Sequence, residues 1–66
     1  MMASKKVVVE IETVGNSFAS LGVIYDARDQ KRVGNGHLAP YGMNGAARES
    51  AESVAIMNGW TVVDDF

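Results

Sequence analysis

The chain has 66 residues, no cysteine, one histidine and a formal net charge of −2. Disulfides, thiolate zinc sites and a multi-histidine metal centre within one chain are therefore excluded. So short a chain holds one domain, residues 1–66, with a thin core, and its charge gives no general attraction to nucleic acid or anionic membrane.

Hydrophobic residues make up 47% and charged residues 21%, the balance of a folded chain rather than a disordered one. No apolar run approaches the roughly 18 residues of a membrane span, and the start lacks a signal-peptide core. A cytoplasmic location without membrane partners is the expectation.

Residues 1–4 read as a frayed start. Residues 5–14 form the clearest strand: Val7, Val9 and Ile11 alternate with Val8, Glu10 and Glu12. Val7, Val9 and Ile11 should face the helix, with the two glutamates in solvent. Gly15-Asn16 signals a turn, and a second strand follows from Phe18 to Tyr25 or Asp26. A two-residue turn would pair Glu10 with Leu21 and mix polar with apolar residues on one face. A three- or five-residue loop would pair Ile11 with Leu21, Val9 with Val23 and Val7 with Tyr25. The apolar match predicts the second register, because burying Glu10 and Glu12 costs more than an irregular turn.

Asp29-Gln30 suggests the next turn. A short third strand runs from Lys31 to about His37, with Val33 inward and Gly34 and Gly36 as bulge candidates. Residues 38–42 are a connection in which Pro40 keeps Ala39 extended.

The helix follows. Asn44 is a suitable N-cap, and residues 46–57 contain neither Gly nor Pro. Ala47, Ala51, Val54 and Asn58 share one face, flanked by Ala55, while Arg48, Glu49, Glu52 and Ser53 lie opposite. A mostly alanine stripe predicts a close approach to the sheet. Gly59 suits the left-handed C′ position, and Trp60 at C″ should fold back on Val54 or Ala55. Residues 60–63 read as a last strand.

The result is an α+β fold: a three-stranded antiparallel meander, one helix on one face and a short C-terminal strand, β-β-β-α-β. A right-handed crossover returns the last strand parallel to the first, in the order 3-2-1-4.

Catalytic inventory is thin. His37 could pair with Asp26 or Asp29 for acid–base work, yet no G-x-S-x-G elbow accompanies it. Gly34-Asn35-Gly36 lacks the Lys-Ser/Thr pair of a phosphate loop. No catalytic, metal or cofactor site is expected. Two surfaces could bind a macromolecule. Glu10 and Glu12, extended by Asp64 and Asp65, would form an acidic rim able to meet a basic partner. Arg28, Lys31 and Arg32, with Lys5 and Lys6 near the same end and Arg48 completing the inventory, could contact phosphates. Ile56 and Phe66 have no place inside one chain, and an unpaired strand edge could join two copies into a homodimer.

Gly34, Gly36 and the run from Ala46-Ala47-Arg48 to Ala55 fall roughly where double-stranded-RNA-binding domains have their glycines and final helix. Three strands followed by an alanine-rich helix resemble the C-terminal two thirds of that family, covering about half of this chain. The resemblance implies RNA binding. The family's lysine cluster is replaced here by Gly45-Ala46-Ala47 and Arg48. The β-β-α-β shape, small size and acidic balance are also similar to small phage-encoded proteins that bind and inhibit host machinery. The expected function is a non-enzymatic protein-binding module, an inhibitor or modulator of a host or partner protein using Glu10, Glu12, Ile56, Asp64 and Asp65. The alternative is a nucleic-acid-binding domain using Arg28, Lys31, Arg32 and Arg48.

Overall fold

The computed structural model describes residues 5–16 and 18–66; the frayed start expected at residues 1–4 lies outside them. The chain is α+β, one helix against a mixed sheet. Its elements are β1 (Lys6–Val14), β2 (Ala19–Asp26), β3 (Arg32–Asn35), β4 (Ala39–Pro40), α1 (Asn44–Met57) and β5 (Thr61–Val62). The sheet order is β3-β2-β1-β5, with β4 paired to the start of β2. The last strand lies parallel to β1, where the crossover argument puts it. There are five strands rather than four, because Ala39 and Pro40 pair with Ser20 and Ala19 instead of forming a plain connection.

The register of β1 on β2 corrects the expectation. Val7, Val9 and Ile11 pair with Asp26, Ile24 and Gly22, not with Tyr25, Val23 and Leu21. The connection from Val14 to Ala19 is four residues long, so every β2 side chain lies on the face opposite to the one predicted. On β1 the faces are as expected: Val7 and Val9 join Ile24, Ala51 and Ala55 in the core, with Val33, Val54, Trp60 and Val62 packed around them.

The helix decides the register. Ala47, Ala51 and Ala55 are its buried residues, so its backbone comes down almost onto β2. A Cβ on Gly22 would lie 2.5 Å from the Ala47 carbonyl oxygen and 2.6 Å from the Ala51 Cβ. Leucine or valine at that point would hold the helix off the sheet, so glycine outranks the apolar match. Leu21 and Val23 turn to the other face beside Val8, and all three are buried there. Gly36 meets the helix in the same way, a Cβ there falling 2.5 Å from the Ala51 amide nitrogen. The bulge in β3 falls at Val33, where the ladder shifts between Ile24 and Tyr25.

Both helix ends differ from or refine the reading. Asn44 begins α1 but does not cap it; the N-cap position is Met43. The Asn44 Oδ1 accepts from Ser20 Oγ at 3.3 Å, and the same hydroxyl accepts from the Gly42 amide at 3.2 Å. Ser20 thus ties the helix entry to β2. At the other end Gly59 adopts φ +77°. Its amide donates to the Ile56 carbonyl, and Trp60 donates to Ala55, each at 2.9 Å. That pair of bonds is a Schellman stop. Asn58 is exposed, not part of the buried stripe; its side chain donates to the Val54 carbonyl.

Candidate partner-binding surface

In an antiparallel pair, alternate residues direct their amides toward the neighbouring strand. Lys6 accepts from Ala27 of the β2 side, so even-numbered residues of β1 face β2 and odd-numbered ones face the opposite edge. Along that edge Lys5 and Val7 accept from Thr61 and Val63, and the Val9 carbonyl accepts from Arg48 Nη1 at 3.2 Å. Beyond Val9 the short β5 has ended. The N–H and C=O of Ile11 and Thr13 have no partner among the described residues, so the upper part of β1 is an open edge.

The sheet face away from the helix borders that edge. Glu10 and Glu12 stand on it, both exposed. Tyr25, half-buried, lies opposite Val8, yet its hydroxyl donates to Glu12 Oε2. That bond requires the two side chains to lean toward each other over the intervening Glu10/Val23 pair. The Glu12 bond, then burial and the Glu12 charge, push the Tyr25 phenol above its usual value, so the hydroxyl stays protonated as a donor.

After β5 the tail crosses to this same face. Val63 donates to Val7 at 2.8 Å, and three residues later the Phe66 ring meets Tyr25 edge-on, centroids 6.2 Å apart at 68°. Glu10, Ile11, Glu12, Tyr25, Gln30 and Phe66 line a shallow, open cleft of about 320 Å³. Asp64 and Asp65, both exposed, lie on the tail leading to it. Ile56 is not part of this surface. It is 69% exposed, next to the exposed Met57 on the helix, and the sheet lies between it and the acidic face.

The basic residues divide. Asp26, buried on the helix side at the end of β2, accepts from Lys5 Nζ at 2.9 Å and from the Arg28 amide at 2.8 Å, with Arg28 Nε 3.6 Å away. These contacts, Lys5 first, hold its carboxyl down at about 2. Arg32 turns its guanidinium to Asn35 Oδ1 at 3.0 Å, and Lys31 is exposed on the hairpin. Arg48 lies at the opposite edge of the sheet, on the Val9 carbonyl, so the four residues do not form one patch. His37 is exposed, with its backbone amide on Ser50 Oγ. Of the two carboxylates expected near it, Asp26 is engaged by Lys5 and the Arg28 amide at the far end of β2, and Asp29 accepts from the Lys31 amide at 3.0 Å.

At the end of the sheet where the helix begins, Val14, Phe18, Leu38, Tyr41 and Met43 leave large apolar side chains exposed, Phe18 at 80%. Val14 stands at the top of the open β1 edge, so the acidic face and this apolar end share that edge.

Sequence reasoning missed Tyr25 and Gln30, and it marked Phe66 as unplaced within the chain without setting it on this face. The register slip moved Tyr25 across the sheet, and nothing in the sequence gives Phe66 a partner until Tyr25 is on the open face. Gly22, isolated inside a strand, was the signal that could have corrected the register.

Together these features define a small α+β domain with a half-open sheet edge and an acidic, aromatic face. No helix among the described residues is long and apolar enough to cross a membrane. No protein-family model, curated protein or solved structure matches the chain.

Proposed function

We infer that the protein is a small non-enzymatic protein-binding module that takes an extended segment of a partner along the upper edge of β1. The observation that carries this is the unpaired run of Ile11 and Thr13 backbone groups, a ready template for strand addition. The partner's chemistry follows from what flanks the edge. Glu10, Glu12, Asp64 and Asp65 favour a basic segment, and the exposed Val14 and Phe18 beyond them favour apolar residues at its far end. Such a module would act as an inhibitor or modulator by occupying a basic region of its partner.

A second copy of the chain fits this edge less well. An antiparallel pair of β1 edges centred on Glu12 sets Glu12 against Glu12, and one centred on Ile11 sets Glu10 against Glu12, and like charges directly opposite oppose pairing. A nucleic-acid role through Arg28, Lys31 and Arg32 is weakened by Asp26, which already engages Lys5 and Arg28.

Affinity capture from the native cell tests the reading. Thr13→Pro removes an edge amide while leaving the β2 side of the ladder intact. The expected result is a protein retained by the wild type and by Ile56→Ser but lost by Thr13→Pro. Equal capture by all three, or salt-sensitive retention of mixed RNA and DNA, would overturn it.

A further inference from the structure

The cleft beneath Phe66 has a chemistry of its own. Two of its six lining residues are carboxylates, two carry aromatic rings, and none is cationic. Its volume of about 320 Å³ is at the small end of ligand pockets, suited to one side chain rather than a nucleotide-sized cofactor. Glu12 has given one carboxylate oxygen to the Tyr25 hydroxyl, which fixes its direction and leaves acceptor capacity free. The Glu10 carboxylate has no hydrogen-bond or ion-pair partner among the described residues, although its backbone pairs with Val23 of β2. Arg32, which also acts on Tyr25, turns its guanidinium to Asn35 rather than filling the cleft. The edge-to-face rings of Tyr25 and Phe66 supply the π surface that a cation prefers, and Gln30, held at φ 62°, adds a polar rim.

We propose that the cleft formed by Glu10, Glu12, Tyr25, Gln30 and Phe66 is a binding site for a single basic side chain, a lysine or arginine of the partner protein. The aliphatic stem lies against the two rings, and the charged head meets the Glu10 and Glu12 carboxylates. This deepens the partner-binding reading and rests on it for the source of the cation. The cleft shares Ile11 with the open edge, so a strand added there places an adjacent side chain within reach.

The test is an amide-shift titration of the isotope-labelled full chain with three small probes: the Nα-acetyl methylamides of lysine, arginine and norleucine. The lysine or arginine probe is expected to shift Glu10, Glu12, Tyr25 and Gln30, and the uncharged norleucine probe is not. Glu10→Gln and Phe66→Ala, both at exposed positions, should each weaken binding about tenfold. Equal shifts with norleucine would reduce the cleft to an apolar dimple, and shifts spread evenly over all carboxylates would reduce it to general charge attraction; either overturns the proposal. Thr13→Pro separates it from the edge reading. A variant that still binds the lysine probe but captures no partner supports both. Probe binding without any partner capture by the wild type leaves the cleft and removes the module. Partner capture without probe binding removes the cleft alone.

Discussion

Lys5 Nζ donates to Asp26 Oδ2 at 2.9 Å, joining residues 21 positions apart at the lower end of the sheet. Asp26 is buried, and its other oxygen accepts the Arg28 amide, so one carboxylate holds both the lead-in to β1 and the β2–β3 hairpin. A carboxyl whose value falls from 3.8 to about 2 on folding binds more protons in the unfolded chain. Its stabilising contribution is therefore complete above the ordinary carboxyl range and is lost as the pH falls through about 2. Melting temperature followed from pH 6 downward should fall most steeply between about 4 and 2. Asp26→Asn should be less stable at neutral pH and should flatten that acid limb. An unchanged limb would show that the carboxylate is not linked to folding.

Gly22 and Gly45 should respond in opposite directions to the same substitution. Gly22→Ala drives a methyl into the Ala47 carbonyl and the Ala51 Cβ and should cost about 2 kcal/mol or more, as overpacking does. Gly45 sits in the first turn of α1 with open space around it. Gly45→Ala should stabilise by roughly 0.5–1 kcal/mol through helix propensity. Urea unfolding of both variants measures the contrast, and equal effects would deny the close helix–sheet contact.

Trp60 fastens the helix exit to the sheet. Its amide completes the Schellman stop on Ala55, and its side chain, half-buried, packs on the core with Val33, Val54 and Val62. Trp60→Ala should cost about 3 kcal/mol, a large share of the stability of so small a domain. A variant that melts with the parent would make Trp60 a surface residue.

Sedimentation equilibrium across micromolar concentrations should give a single species at the chain mass of 7.1 kDa. The glutamates beside the open edge face their own copies when two β1 edges pair around Ile11 or Glu12. A concentration-dependent dimer would instead assign that edge to a second copy.

Much of the fold was legible because local and global signals agreed. The β1 alternation named the correct inward residues, and Gly59-Trp60 marked the helix stop. What misled was β2, where nearly every residue is apolar or small and both faces are buried: Leu21 and Val23 on one, Ile24 on the other. With no polar face to fix it, the register was set by a feature outside the strand, the alanine stripe pressing on Gly22. Asn44 misled for a related reason. A side chain suited to capping was taken instead by the buried Ser20 hydroxyl. Glu10 and Glu12 could be placed on the open face from β1 alone. Tyr25 and Phe66, which turn that face into a cleft, depended on the β2 register and on the path of the tail.

Because β5 runs only two residues beside a nine-residue β1, the long strand keeps two different clocks. Around Lys6 and Val7 the strand is laddered on both sides, to β2 and to β5, and opens only with the whole domain. In its upper half, the amides of Glu10 and Glu12 remain bonded to β2 while those of Ile11 and Thr13 face water. Deuterium uptake should therefore alternate residue by residue above Val9, fast at odd positions and slow at even ones, until something docks there and brings the fast pair to the slow rate.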